Sequence, residues 1–185
     1  MQWNGPDWAR TVEHLLQDGK EQVVAVFARV ERVENAVDQR VVLAAIDSYC
    51  CAPSDFKFQS SYHIELTDEV QARLIKAAWN LDCALVELHS HVGDFARPAF
   101  SPSDLDGFEE FVPHVRWRLR GKPYLAIVVT ATGFDALAWT GASTTPQTLD
   151  CIQLEDRRLQ PTNYTLAALK QAPGHPERRR ETCVD

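Results

Sequence analysis

The run CALVEL, residues 83–88, restricts the fold more than any other part of the sequence, because it leads straight into His89-Ser90-His91. A short, largely apolar run before two imidazoles predicts a buried strand that ends at a polar site. Side chains alternate between the two faces of a strand, so His89 and His91 should project from one face and Ser90 from the other. The chain must therefore fold around a strand that carries two neighbouring histidines at its end.

The rest of the sequence predicts alternating strands and helices. Helices are expected at 7–18, 68–80 and 103–112, with Asn4 or Gly5 as the first cap, Thr67 as the second, and Pro113 ending the third. Strands are expected at 21–30, 40–50, 62–66, 83–88 and 151–155, with 124–130 and 134–140 forming a hairpin. This order favours an α/β sandwich with a mixed sheet and helices packed against it.

Composition limits the class of protein. With 185 residues, of which 45% are hydrophobic, the chain is expected to form one globular domain. Its net charge of −7 argues against a nucleic-acid binder, because such proteins neutralise phosphates with lysine and arginine. No run is long enough to span a membrane and the N-terminus lacks a signal-peptide pattern, so we expect a cytoplasmic protein whose five cysteines are reduced thiols.

Two imidazoles side by side can share one cation. Neutral imidazole suits zinc, and a catalytic zinc site needs a third protein ligand beside an open position for water. Asp104 lies thirteen residues after His91, at the start of a predicted helix, and the loop 92–103 can return it to the histidines. An alternative stays open, because Ser101-Pro-Ser-Asp104 by itself is typical of a capping box that only starts the helix.

The order His89-Ser90-His91, nine further residues, then Ser101-Pro-Ser-Asp104 resembles the signature of the JAMM (MPN+) metalloprotease family, including its prokaryotic JAB branch. The family pattern is an upstream glutamate, H-S/T-H usually followed by proline, a loop, and S-x-x-D. Here Val92 replaces the proline, and the loop is longer than the commonest spacing. The resemblance implies the JAB/MPN (cytidine-deaminase-like) α-β-α sandwich with a mixed central sheet, as one catalytic domain over 1–172. The residues 173–185 include Arg178 to Arg180 and few apolar side chains, so we expect them to form a mobile tail.

The resemblance also implies a role for each site residue. His89, His91 and Asp104 would bind one Zn²⁺ per chain. The hydroxyl of Ser101 would support the attacking water and the developing oxyanion. Glu21 matches the upstream catalytic glutamate, because it opens the first apolar strand after the first helix.

Glu87 is the alternative catalytic acid. It lies on the same strand face as His89 but about 6.6 Å back along the strand. We therefore expect it to support the site from behind or to pair with a lysine or arginine. Asp94 has a ligand's chemistry but is more typical of a turn, and His63 is expected to be a sheet side chain.

The resemblance implies a zinc metalloprotease that cleaves after the C-terminus of a ubiquitin-like protein, by deconjugation or precursor processing. Such a stand-alone, bacterial-type, deubiquitinase-like isopeptidase would act on a ubiquitin-like protein or its conjugate, with E1-like and E2-like proteins as further partners, in a conjugation or antiviral defence system. No nucleic-acid or membrane partner is expected. Two alternatives are retained: a non-catalytic MPN-type scaffold that binds a partner, and a zinc hydrolase of small amides or sulfur-carrier adducts.

Overall fold

A five-stranded mixed sheet forms the centre of the molecule in the computed structural model, which describes residues 1–35, 38–93, 96–141 and 143–171. The first part of the chain forms α1 (Gly5–Leu16), β1 (Val23–Asn35), β2 (Asp38–Cys50), a 3-10 helix (Pro53–Asp55), β3 (Phe56–Gln59), β4 (Ile64–Leu66) and α2 (Asp68–Asn80). The second part forms β5 (Ala84–Ser90), α3 (Pro102–Arg118), β6 (Tyr124–Thr130), β7 (Gly133–Trp139), β8 (Ile152–Gln153), β9 (Arg158–Leu159) and α4 (Tyr164–Gln171).

The strands of the central sheet stand in the order β2-β1-β5-β6-β7. β1 is antiparallel to β2 and β5, β5 and β6 are parallel, and β7 returns antiparallel to β6 as the predicted hairpin. A parallel pair needs a crossover connection, and α3 lies in the one between β5 and β6. The strand that carries the two histidines is therefore central, with a partner strand on each side.

Helices cover both faces of this sheet, which is the predicted α/β sandwich with a mixed sheet. On one face, Val24 of β1 is buried in a cluster that includes Trp8 of α1. On the other face, Ala25 and Leu85 are buried with apolar side chains of α2 and α3. Because His89 alternates in step with Leu85, the histidines face the side covered by α2 and α3.

Side-chain caps fix the starts of the first two helices. Asn4 Oδ1 accepts a hydrogen bond from Asp7 N at 3.2 Å, so α1 begins at Gly5, before the predicted residue 7. Thr67 caps α2 as predicted, and acidic residues occupy its first turn. In both helices the cap satisfies a backbone N–H that has no partner within the helix.

The prediction that Pro113 ends the third helix is wrong, because α3 continues through it to Arg118. The apolar face of the helix also continues, and Val112, Val115 and Leu119 are buried. A proline inside a helix costs about 3 kcal/mol. Burying each of these side chains contributes about 1.5–3 kcal/mol, so packing outweighs the proline.

Four elements of the structure are absent from the sequence prediction: the 3-10 helix, β3, β9 and α4. The sequence predicts no helix or strand between the strands at 40–50 and 62–66, but this segment contains β3, which pairs with β4 as an antiparallel hairpin. α4 near the C-terminus was also not predicted. The predicted strand at 62–66 begins at Ile64, and the one at 151–155 is reduced to the two residues of β8.

The buried carboxylate of Asp55 holds the β3–β4 hairpin in place. It accepts hydrogen bonds from Tyr49 Oη at 2.7 Å, Ala52 N at 2.9 Å and Arg73 Nη2 at 3.0 Å. Its backbone oxygen accepts from Thr67 N at 2.9 Å, which joins the hairpin to the start of α2. Burial alone would raise the pKa of Asp55, but the hydrogen bonds from Tyr49, Ala52 and Arg73 outweigh it and lower the pKa.

The described cysteines, Cys50, Cys51, Cys83 and Cys151, are free thiols, and burial raises the pKa of Cys51 to about 12. Cys183 and the predicted mobile tail over 173–185 lie outside the described residues. In the part of the chain that is described, no helix has the length and apolar character needed to cross a bilayer.

Candidate metal centre

The pairing of β1 with β5 brings Glu21 to the two histidines. Val23 lies opposite His89 in this antiparallel pair. The same register, continued two residues further, places Glu21 opposite His91. Because every second residue of a strand shares a face, the side chains of Glu21, His89 and His91 project from the same side of the sheet.

The residue between the histidines fixes this register. Ser90 N donates to Gln22 O at 3.1 Å, and Ser90 Oγ accepts from Gln22 N at 2.9 Å. On the other side of the strand end, His91 N donates to Val129 O at 2.9 Å. The end of β5 is therefore held to both neighbouring chain segments by hydrogen bonds.

Asp104 both caps α3 and faces the histidines, so the capping-box interpretation and the metal-ligand interpretation describe the same side chain. Ser101 N and Ser101 Oγ donate to Asp104 Oδ2 at 2.7 and 2.8 Å, and Asp104 N donates to Ser101 Oγ at 3.2 Å. The reciprocal bonds of a capping box fix the rotamer of the carboxylate. The start of α3 thereby aims Asp104 Oδ2 at the end of β5.

Three potential ligand atoms meet at this point. The Nε2 atoms of His89 and His91 are 3.3 Å apart, and Asp104 Oδ2 lies 3.6 Å from the first and 3.3 Å from the second. Ligand atoms about 2.0–2.2 Å from a tetrahedrally coordinated ion lie about 3.3–3.6 Å from one another. The three side chains could therefore hold a metal ion between them, and the fourth position of the tetrahedron has no protein ligand in this group.

We refer to His89, His91 and Asp104 as the triad. Electrostatic interactions within the triad favour the ionised form of the Asp104 carboxyl group. Burial would raise the pKa of Asp104, but the nearby imidazoles of His89 and His91 and the hydrogen bond from Ser101 outweigh it and hold the pKa far below the usual range. Burial would lower the pKa of His89, but the nearby carboxylate of Asp104, with the charges of Glu87 and Glu21, raises it instead. The carboxylate of Asp104 and the two imidazoles therefore attract one another.

Glu21 stands beside the triad without joining it. Its side chain is buried, with Oε1 4.0 Å from His91 Nε2. The β3–β4 hairpin holds its backbone, because Glu21 N donates to Ser60 O at 2.8 Å and Gln59 Nε2 donates to Glu21 O at 2.9 Å. Burial raises the pKa of Glu21, although the nearby His91 and His89 act in the opposite direction. The carboxyl group of Glu21 is thus fixed next to the candidate metal position, and burial increases its affinity for a proton.

Glu87 has a different partner from the lysine or arginine that the sequence suggested. Tyr124 Oη donates to Glu87 Oε2 at 3.0 Å. Burial raises the pKa of Glu87, and burial together with the neighbouring Glu87 raises the pKa of Tyr124. Glu87 thus lies below His89 on the same face, and its hydrogen bond with Tyr124 joins β5 to β6.

A cleft of about 290 Å³ opens beside the triad. One wall of the cleft is formed by β4 and the preceding His63. The other wall is the first half of α3, including Phe108 and Phe111. The side chains of His89, Asp104 and Glu87 also line the cleft. β4 pairs with β3 only, so its second edge has no partner strand among the described residues. His63, which the sequence predicts to be a sheet side chain, lies just before β4 and lines the cleft. Asp94 falls outside the described residues.

Several residues that support the site were not predicted. The ring of Phe100 packs edge-on against His89, with centroids 5.6 Å apart. Gln59 and Ser60 form hydrogen bonds with the backbone of Glu21, and they lie between the predicted strands at 40–50 and 62–66. Only the apolar character of Phe100, immediately before the helix cap Ser101, was visible in the sequence.

A scan against protein-family models finds no match to this chain, and a search among curated proteins finds none either.

Proposed function

We propose that this chain is a zinc-dependent peptidase or isopeptidase of the JAMM (MPN+) type, built on the JAB/MPN variant of the α-β-α sandwich. One observation carries the proposal: His89, His91 and Asp104 present three ligand atoms at tetrahedral spacing, and Glu21 Oε1 lies 4.0 Å from His91 Nε2. The sequence motif predicts the same four residues. The mixed sheet and the helices on both of its faces are compatible with this fold.

The donor set fits zinc. Two imidazole nitrogens and one carboxylate oxygen, with one position left open, form the ligand pattern of many catalytic zinc sites. When bound, zinc would polarise a carbonyl group and make a nearby water more acidic at neutral pH. Asp104 and the two histidines would hold the ion, and the capping-box hydrogen bonds from Ser101 would keep the carboxylate oriented.

Glu21 would move the proton during amide hydrolysis. Its carboxylate accepts a proton from the attacking water as the oxygen–carbon bond forms, and it delivers that proton to the nitrogen as the carbon–nitrogen bond breaks. The position of Glu21 suits this exchange, because its buried carboxyl group lies beside the proposed ion, with Oε1 4.0 Å from His91 Nε2.

The role of Ser101 stays a prediction. Its hydroxyl donates to Asp104 Oδ2 in this structure, so its support of a developing oxyanion would require that hydrogen to turn toward the substrate. The 2.8 Å distance between the hydroxyl oxygen and the proposed ligand oxygen of Asp104 places Ser101 next to the ion position.

The cleft supports a substrate with an extended tail. The unpaired edge of β4 offers backbone hydrogen bonds to an added strand, which is a common way to bind extended peptides. A chain bound along this edge would lie between β4 and α3 and reach the triad. We therefore propose cleavage after the C-terminal tail of a ubiquitin-like protein, either from a conjugate or from a precursor.

The test is hydrolysis of ubiquitin and of a bacterial ubiquitin-like protein, each carrying a C-terminal aminocoumarin amide, by the zinc-loaded chain. Glu21→Gln should lower kcat by at least about 100-fold, because proton transfer by a positioned group contributes about 10²–10⁴-fold. The variant should retain zinc, because Glu21 is outside the triad. Full activity of Glu21→Gln would eliminate the proposed mechanism.

The same assay separates the alternatives. Hydrolysis of small amino-acid amides with no release from the protein substrates would indicate a small-amide hydrolase. A chain that binds no zinc and hydrolyses nothing would indicate a scaffold. Metal content measured on the wild-type chain and on Glu21→Gln distinguishes loss of the ion from loss of proton transfer.

A further inference from the structure

We propose that Thr165 is a positioning residue for the metal centre, acting from α4 through Phe100. The inference rests on the proposed metal centre but not on the peptidase activity. Thr165 Oγ1 accepts a hydrogen bond from Phe100 N at 2.9 Å, and both groups are buried. Phe100 immediately precedes Ser101, the residue that caps α3 and orients the ligand Asp104.

Phe100 contacts both elements that carry the proposed metal ligands, β5 and α3. Its ring meets His89 edge-on at 5.6 Å between centroids, and it meets Phe108 of α3 at 5.3 Å. Its backbone continues into the Ser101 amide that donates to Asp104 Oδ2 at 2.7 Å. A shift of Phe100 would therefore move one imidazole ligand and the carboxylate ligand together.

Thr165 is itself held by a buried carboxylate. Asp135 of β7 is fully buried, and its two oxygens accept hydrogen bonds from Asn163 N at 2.8 Å and Thr165 N at 2.9 Å. Thr162 forms a second hydrogen bond to the loop that follows the histidines, in which its hydroxyl donates to Pro98 O at 2.8 Å. We call Asp135, Thr162 and Thr165 the latch.

The burial pattern of α4 favours this role over simple packing. All eight residues of α4 are described, and the one that is buried is Thr165, a polar residue. A helix that served only to cover the sheet would be expected to bury apolar side chains. In α4 the buried residue is Thr165, whose hydroxyl oxygen accepts the hydrogen bond from Phe100 N.

The test compares metal binding by the metal-free full-length chain and its variants. Thr165→Val keeps the shape of the side chain but removes the acceptor, and leaves the buried Phe100 N–H without a partner. Loss of a group that orients metal ligands typically costs about 10–100-fold in metal affinity. We expect the Zn²⁺ dissociation constant, measured against a chelator, to rise at least about 10-fold, with an altered visible absorption band when Co²⁺ replaces Zn²⁺.

Two matched variants separate positioning from general destabilisation. Thr165→Ser retains the hydroxyl and should restore most of the affinity and the Co²⁺ band. Thr11→Val makes the same change at an equally buried threonine of α1, on the opposite face of the sheet, and should leave both unchanged. If Thr165→Val does not fold, Phe100→Leu, which keeps the backbone hydrogen bond but loses the ring contact on His89, must weaken metal binding instead.

The outcomes are distinguishable. Wild-type affinity and an unchanged Co²⁺ band in Thr165→Val, or in Phe100→Leu where that variant replaces it, would overturn the role of the latch and leave the metal centre intact. A wild-type chain that binds neither Zn²⁺ nor Co²⁺ would overturn the metal centre and the latch together.

Discussion

Replacing Asp104 with asparagine should separate its two roles, helix cap and metal ligand. Asparagine can still accept the hydrogen bond from Ser101 N, but it loses the charge near the start of α3. A charge in that position contributes about 0.3–1 kcal/mol, and a charge-assisted hydrogen bond is stronger than a neutral one by about 1 kcal/mol. We therefore expect the loss of the cap charge to lower the free energy of unfolding of the metal-free variant by about 1–2 kcal/mol. Loss of the attraction between the carboxylate and the imidazoles of His89 and His91 adds to this cost.

The effect on metal binding should be larger. Loss of a group that merely orients a ligand costs about 10–100-fold in affinity, so loss of the ligand itself should cost at least about 100-fold. At a free zinc concentration of 100 times the wild-type Kd, bound zinc adds about 2.7 kcal/mol to the free energy of unfolding. At the same concentration, a 100-fold weaker variant would gain only about 0.4 kcal/mol.

Urea unfolding with and without zinc measures both quantities for Asp104→Asn. Asp106→Asn is the matched control, because it removes an exposed charge from the same helical turn, away from the triad. It should show the full zinc-dependent gain. Equal zinc-dependent gains in the wild type and in Asp104→Asn would refute the assignment of Asp104 as a ligand.

Three further predictions concern the surrounding fold. Tyr124→Phe should lower the free energy of unfolding by about 1–3 kcal/mol, because the half-buried carboxylate of Glu87 loses its hydrogen-bond donor. Pro113→Ala should raise the free energy of unfolding by about 1–3 kcal/mol, because it removes the penalty of a proline inside α3. Asp55→Asn should cost about 1–3 kcal/mol at pH 7. Because the pKa of Asp55 is lowered on folding, this cost should be constant above about pH 3.9 and shrink as the pH falls through the folded-state pKa.

Urea unfolding tests all three, each with its own comparison. In a Glu87→Leu background, Tyr124→Phe should cost little, and an undiminished cost would show that the hydrogen bond is not its source. Pro102→Ala, at the first position of the same helix where proline is favoured, should give no gain. For Asp55→Asn, a cost that stays the same from pH 7 to pH 3 would contradict the lowered pKa.

Local sequence signals predicted most of the elements. Thr67 followed by acidic residues gave the start of α2, and the apolar runs gave β1, β5 and the β6–β7 hairpin. The prediction for Pro113 was wrong because burial of a continued apolar face outweighs a local backbone preference. β3 was missed although Phe56-Lys57-Phe58-Gln59 alternates apolar and polar residues, because four residues are a short signal and the strand depends on pairing with β4.

The candidate site was predictable as a set of residues but not as an arrangement in space. The short H-x-H spacing already implied that His89 and His91 share a face. The approach of Glu21 depends on the register between two strands that are distant in sequence, which no local pattern specifies. The Tyr124 partner of Glu87 and the Thr165 partner of Phe100 are likewise products of tertiary packing.

Ser90 gives a physical reason why the middle position of an H-x-H motif is not a neutral spacer. Its hydroxyl accepts the Gln22 amide at the place where the regular strand pairing stops, inside the protein. Of the common small residues, only serine and threonine carry an acceptor so close to the backbone, and alanine would leave a buried N–H unsatisfied at a cost of about 1–3 kcal/mol. In a chain built this way, the tolerance for substitution should be as narrow between the two imidazoles as it is at the imidazoles themselves.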